Sequence, residues 1–561
     1  MTTIINGTPV VQGVAYAPAV WVRRPELPTF TSEIVPEEDR AEEVERFTEC
    51  ARKVADNLYS RASRAQGQAA EVLVMTASMA TDRGWVKDVT KRINSGVPAI
   101  QAVIAATDKF VAAFEAAGGL MAERTTDLKD VRDRVLAHLQ GEPEPGIPDL
   151  ASPYVLLADD LTPADTAGLD PKVCVAMATE LGGPTSHTSI IARQLGIPCI
   201  VAVRRLSEIE SDVAVLVDSH EGTLTIGVDP AKARRLVEID AQRAERVRAW
   251  KGPAQTSDGH RVQLLANVGD GAAARSAAQA GLAEGVGLMR TELAFLDAPF
   301  EPSIHEQARI YSEVFAAFDG HKVVVRTLDA GSDKPVPYAT LENEPNPALG
   351  VRGLRTTGPN PEVLDHQVDA LVLAAQQNPT TEVWVMAPMV ATVPEAEWFA
   401  SLVHERAEAA GVTLKAGIMV EVPAVAVMAE KFLPLIDFVS LGTNDLTQYT
   451  MAADRLSPDL AEYSDPWQPA PLTLISKVAA EGTATQTPVG VCGEAASDPV
   501  LACVLVGMGV TSLSMAAGAI PGVGAALGQV SLEQCRAAAE AVLTARDAGD
   551  ARNLAREALG L

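Results

Sequence analysis

Residues 415–445, KAGIMVEVPAVAVMAEKFLPLIDFVSLGTND, read as strand, helix and strand. The flanking runs KAGIMVEVP and FVSLGTND open on apolar, strand-like stretches. They end in Glu421 and in Asn444-Asp445. The same alternation of apolar run and helical stretch recurs outward on both sides, as VQLLANVG, EGVGLMRTE, KVVVRTLDAG and EVWVMAPMV before it and PVGVCGE and TSLSMA after it. Eight such runs predict a (β/α)8 barrel. The C-terminal strand ends of such a barrel converge on one site, so Arg290, Arg326, Glu421, Asn444, Asp445 and Cys492 are expected to share a pocket.

Upstream of residue 255 the pattern changes. Residues 229–254 form a charged helical linker closed by Gly252-Pro253. Short β-rich runs (VLLADD, VCVAMAT, CIVAV, VAVLVD, TLTIGV) fill residues 144–228, and residues 1–23 are strand-like but too short to fold alone. Between them, residues 24–143 are Ala/Glu/Arg-rich with a helical period and end in the proline-rich GEPEPGIP. The simplest organisation is one α/β domain built from 1–23 and 144–228, a helical insertion at 24–143, a linker helix at 229–254 and a barrel at 255–561. The fold class is therefore multidomain α/β.

Composition bounds the function. A chain of 561 residues holds roughly three or four domains at ~100–200 residues each. With 46 basic against 73 acidic residues, a net charge of −27 excludes a surface built to neutralise nucleic acid. A basic protein partner or a small anion in a local arginine pocket remains compatible. Six cysteines without CxxC spacing suggest neither a disulfide framework nor a zinc site, which fits a reducing cytoplasm. The N-terminal segment lacks a basic region before its apolar stretch and does not read as a signal peptide. The Gly/Ala-rich stretch 502–528 carries Pro521 and reads as buried core, so no membrane insertion is expected.

In GGPTSHTS (182–189), paired glycines and hydroxyls precede the helix-like IIARQLG. A helix start offers free N–H groups to an anion, so His187 stands beside a place where a phosphoryl group on its ring would be stabilised. The alternative is that His187 is a polar neighbour of the cap. Glu421 and Asp445 are the ligand type Mg²⁺ takes, or each caps a neighbouring helix. Arg290 and Arg326 close buried strands, where an unpaired guanidinium is costly, whereas Arg352 and Arg455 could be ordinary salt-bridge partners. Cys492, in GVCGE, is by default a small buried residue. The acidic run from Glu37 to Glu45 is most simply a solvated face, and the histidines other than His187 read as surface or packing residues.

These residues resemble a known family. GGPTSHTSIIARQLGIPCIV is similar to the phosphohistidine motif of the phosphoenolpyruvate-utilising enzymes, and KAGIMVEVPAVAVMAEKFLPLIDFVSLGTNDLTQYTMAADR to their barrel motif. The domain order resembles the Enzyme I family of the bacterial phosphotransferase system. The resemblance implies that phosphoenolpyruvate binds in the barrel, that His187 takes its phosphoryl group and passes it to the phosphocarrier protein HPr, and that pyruvate is released. It implies Mg²⁺ on Glu421 and Asp445. It places Arg290, Arg326, Arg352, Lys334, Asn444 and Arg455 on the substrate, Cys492 as the acid that protonates the enolate, and Thr166 on the active imidazole. It also implies an HPr dock in the helical insertion, a homodimer formed through the barrel, and a domain movement about the linker helix. Pro184 stands where many members carry arginine. Pyruvate phosphate dikinases and phosphoenolpyruvate synthases share both motifs, but the ATP-binding domain they need has no counterpart here. A silent sensor paralogue would have lost His187 or the metal acids, and a barrel lyase would need no phosphohistidine domain.

Overall fold

The computed structural model describes residues 2–22, 27, 34–63, 68–117, 124–142, 144–147, 150, 152–161, 165, 169–183, 186–296, 298, 300–332, 335–336, 338–341, 344–455 and 457–561, with the backbone alone for 68–72, 187 and 458. Thr166, Pro184 and Lys334 lie outside the described residues, as does the imidazole of His187. The chain divides into two compact units, Met1–Ala244 and Glu245–Leu561.

The first unit is organised by a mixed sheet. Its strands are β1 (Thr3–Asn6), β2 (Thr8–Val11), β3 (Val14–Val22), β4 (Tyr154–Ala158), β5 (Cys174–Thr179), β6 (Cys199–Val201), β7 (Ala214–Asp218) and β8 (Thr223–Ile226), in the order β1-β8-β7-β3-β4-β5-β6-β2. β3 runs antiparallel to β7 and parallel to β4, which sews the N-terminal segment into a sheet made otherwise of residues beyond 153. Between β3 and β4 lie the helices Arg40–Ala62, Gln68–Ala80, Arg83–Asn94, Ala99–Ala117 and Thr125–Gln140. They bury their own core around Phe47, Leu58, Trp85, Ile93 and Val135. The break before Ala99 falls at Gly96, whose φ of +99° suits glycine. The helix Pro230–Ala249 is tied to this sheet: Asp240 accepts the Val14 N–H (2.9 Å) and pairs with His220 (2.7 Å).

The second unit is a closed barrel of eight parallel strands: β9 (Gln263–Val268), β10 (Gly285–Arg290), β11 (Lys322–Arg326), β12 (Glu382–Ala387), β13 (Lys415–Val420), β14 (Phe438–Leu441), β15 (Val489–Val491) and β16 (Ser512–Met515). β16 pairs with β9 to close it. Side chains alternate along each strand with a period of two. Val323 and Val325, Val383 and Val385, and Ile418 and Val420 face outward into the core shared with the helices. Val324, Trp384, Met386, Met419, Phe438 and Cys492 form a separate buried cluster inside the barrel. Large and small residues interlock there: a Cβ on Gly417 would come within 2.5 Å of the Phe438 ring. Following the inward parity to the C-terminal strand ends leads from Val324 to Arg326, from Met419 to Glu421 and from Phe438 through Ser440 to Gly442. The fold thus aims a row of chosen residues at one mouth.

The stretch 502–528 is core. It supplies most of the helix Pro499–Met508, all of β16 and the buried helix Ile520–Leu527. Among the described residues no helix is long and apolar enough to cross a membrane.

Candidate active site

At the C-terminal ends of the strands a cleft of ≈620 Å³ opens, lined among others by Arg290, Arg326, Arg352, Asn444, Arg455 and Cys492. Two of these arginines are buried and held by acids. Arg326 donates from Nη2 to Glu292 Oε1 at 2.8 Å and lies 3.2 Å from Asp329. Arg352 is clamped from both sides, by Asp329 (Nε–Oδ1 2.9 Å, Nη2–Oδ2 2.9 Å) and by Asp445 (Nη1–Oδ1 3.1 Å, Nη2–Oδ2 3.2 Å). Burial works against both charges, but the surrounding carboxylates outweigh it and raise both pKa values. Arg455 is half-buried, with Nη1 3.8 Å from Asp445.

Glu421 is fully buried one position past β13. Its Oε1 accepts the Met389 N–H at 2.7 Å, and that residue holds φ at +61° to present it. Its Oε2 is buried with no hydrogen-bond partner among the described residues. Burial, then repulsion from Asp329 and Asp445, pushes its carboxyl up to about 8, against the pull of Arg326 and Arg352. Gly442 leaves the space beside this oxygen open, since a Cβ there would stand 2.9 Å from Oε2. Four buried carboxylates (Glu292, Asp329, Glu421, Asp445) face two buried arginines. Fully ionised, the four carboxylates outnumber the two buried arginines, with Arg455 3.8 Å from Asp445 at the rim, and one buried Glu421 oxygen has no hydrogen-bond partner among the described residues. The donor set therefore fits a divalent cation held by few protein ligands.

Cys492 follows β15 and is 3% exposed, its Sγ 3.6 Å from the Leu441 carbonyl. Burial pushes its thiol up to about 11, so it is protonated at neutral pH. Gly493 behind it is required: a Cβ there would meet Thr443 Oγ1 at 1.9 Å. Asn444 Oδ1 accepts the Glu494 N–H at 3.0 Å, tying two strand ends together. In the first unit, Ser186 caps the helix His187–Leu195 by accepting the Ser189 N–H (3.4 Å), and Ser189 Oγ donates to the Gly183 carbonyl (2.7 Å). His187 is the first residue of that helix, where N–H groups lack helical partners.

Comparison with known proteins places this arrangement. Residues 243–532 match the PEP-utilising enzyme, PEP-binding domain; residues 6–124 match the PEP-utilising enzyme, N-terminal domain; and residues 150–222 match the PEP-utilising enzyme, mobile domain. A phosphoenolpyruvate-protein phosphotransferase of Streptomyces coelicolor is 45% identical over 560 residues, covering 100% of both chains. The chain belongs to the PEP-utilising enzyme family. A phosphoenolpyruvate-protein phosphotransferase of Staphylococcus carnosus is 35% identical over 93% of both chains. A multiphosphoryl transfer protein of Rhodobacter capsulatus is 40% identical over 78% of this chain and 53% of its own. This PEP-utilising enzyme is a phosphotransferase-system transferase that uses phosphoenolpyruvate as its phosphoryl donor.

The structure brings Arg290, Arg326, Arg352, Asn444, Asp445, Arg455 and Cys492 to one cleft, with Glu421 beneath it. One reading changes. Arg290, expected at the end of a buried strand, is exposed there, so its position does not by itself demand an anion. Arg352 lies in a loop just before the 3-10 helix Gly353–Thr357 and is a salt-bridge partner of two carboxylates, at 2% exposure. Glu292 and Asp329, which anchor the arginines of this PEP-utilising enzyme, were not singled out in the sequence. Their one signal is position, two and three residues beyond a strand-end arginine in RTE and RTLD.

Proposed function

We propose that the phosphoryl group of phosphoenolpyruvate passes to a ring nitrogen of His187 and then to a histidine of the phosphocarrier protein HPr, with release of pyruvate. The observation that carries this reading is the convergence of Arg290, Arg326, Arg352 and Arg455 on the cleft beside an orphaned, buried Glu421 oxygen. Planar, permanently charged donors suit the three oxygens of a phosphoryl group as it flattens in transfer. Arg290 and Arg455 at the rim meet the substrate first, and Arg326 and Arg352 hold it deeper. Asn444 uses its acceptor on Glu494 and turns its amide donors to a substrate oxygen, with Lys334 completing the shell. Glu421 and Asp445 hold Mg²⁺. When bound, the ion supplies positive charge to the phosphoryl and enolate oxygens. Thr166 positions the imidazole. The helical insertion docks HPr, and the barrel forms a cytoplasmic homodimer.

Cleavage of the phosphorus–oxygen bond leaves the enolate of pyruvate, which needs a proton at C3. Cys492 delivers it. Its raised pKa keeps the proton in place until a strong carbon base appears, and the apolar surroundings favour the thiol over the thiolate. Cys492→Ser is expected to slow pyruvate release by ~10²–10⁴-fold, the usual range for a general acid, and to erase facial selectivity at C3. If Cys492 only packs, turnover and the chirality of pyruvate made in heavy water will both survive, since the volumes are similar.

The whole reading is tested by mixing the purified protein with Mg²⁺ and phosphoenolpyruvate and weighing the intact chain. One added phosphoryl group is expected, discharged on adding HPr. Pyruvate formation with no protein-bound phosphate would favour a lyase.

A further inference from the structure

Asp445 has two claims on it. As a metal ligand it must present oxygen to a cation, yet both its oxygens accept from Arg352, at 3.1 and 3.2 Å. A guanidinium and a divalent cation on one carboxylate repel each other, so one must give way. Arg352 has a second anchorage in Asp329, two shorter bonds of 2.9 Å each, made by Nε and Nη2. Asp329 is itself fixed: it is 1% exposed, lies 3.2 Å from Arg326, and its N–H donates to Glu292 Oε1 at 3.1 Å. Its oxygens are turned to the two arginines.

Resting on the reading of Glu421 and Asp445 as the metal ligands, we propose that Asp329 is a positioning residue that retains Arg352 when Asp445 turns to the cation. Metal binding then does not wait for substrate to draw Arg352 away. Without Asp329, Arg352 has only Asp445 to neutralise it and competes with the cation for that carboxylate. A phosphate bound by Arg352 relieves the competition, and by linkage the cation strengthens phosphate binding by the same factor.

The probes are Mn²⁺, followed by electron paramagnetic resonance, and inorganic phosphate, on the full-length protein. Asp329→Asn is expected to weaken Mn²⁺ binding about tenfold without phosphate, within the range usual for coupled sites, and saturating phosphate is expected to restore most of it. Asp329→Glu should retain wild-type affinity. In an Arg352→Gln background, the Asn substitution should have no effect on Mn²⁺. That double variant loses one charge of each sign, so it reports even if Asp329→Asn alone does not fold, by matching Arg352→Gln. Equal Mn²⁺ affinity in Asp329→Asn and wild type, or a penalty that persists in the Arg352→Gln background, overturns the proposal. Glu421→Gln separates the two layers. If it leaves Mn²⁺ binding unchanged, the metal-site reading falls and this inference with it; if it abolishes binding while Asp329→Asn does nothing, this inference alone falls.

Discussion

Glu421→Gln is expected to lower phosphoenolpyruvate turnover by about three orders of magnitude or more, while phosphate exchange between His187 and HPr persists. The substitution keeps the hydrogen bond from Met389, since the amide oxygen can accept it, and removes only the charge whose oxygen has no protein partner. Charge stabilisation by a bound metal is worth several kcal/mol, and each 1.4 kcal/mol is about a decade in rate. The same variant changes the pH dependence of the metal-free protein. Glu421 is pushed up from an ordinary 4.5 to about 8, so the folded state keeps a proton that the unfolded chain has already lost. Stability is therefore expected to fall as pH rises from about 4.5 to about 8, and Glu421→Gln should flatten that part of the slope. Denaturant unfolding in chelator at pH 5 and pH 8 reads this. Identical slopes in the two proteins would mean that Glu421 ionises freely, and the argument for a missing cation would lose its ground.

His187→Ala is expected to abolish phosphate incorporation altogether. Among the described residues of the cap no other side chain supplies an equivalent nucleophile: Ser186 and Ser189 are engaged with each other and with the Gly183 carbonyl, and the Thr188 hydroxyl points to Asp160 at 3.4 Å. In the wild type the adduct should be acid-labile and base-stable, because a phosphoramidate hydrolyses once its nitrogen is protonated. Alanine leaves the helix and its cap intact, so the folded fraction should be unchanged by circular dichroism. An adduct that survives in the variant and maps to another residue would sink the assignment of the nucleophile.

The eight runs are legible as strands because barrel strands are buried on both faces, so that apolar residues dominate them and few polar ones, such as Ser440 and Ser514, interrupt before the strand ends. That same rule exposed Arg326, Glu421 and Cys492 as departures at the place where departures carry chemistry. Arg290 breaks the pattern too and stands opposite Arg326 in the register, yet it is exposed at the cleft, which the local sequence does not show. Asp329 and Glu292 escaped notice because a single acid after a strand is ordinary. Asp329 meets Arg352 across 23 residues of chain and Glu292 meets Arg326 across 34, contacts no local period encodes. An ordinary thiol has a pKa near ~8.5; the value near 11 at Cys492 comes from the barrel interior around it, which one strand cannot reveal. For Thr166 and Lys334 the expectation stands on resemblance alone.

The closure of β16 on β9 bears on how the chain is made. Asn267 and Ser514, hydrogen-bonded across that seam, are 247 residues apart in sequence. During synthesis β9 emerges early and must wait, with one edge unpaired, until the ribosome has delivered residues 512–515. Contacts of such separation form slowly, and an open apolar strand edge invites pairing with other chains. A message truncated anywhere between β15 and β16 would yield a protein whose first unit is complete and whose barrel has two sticky edges. Such a product is a client for chaperones or proteases, because its barrel cannot close without β16.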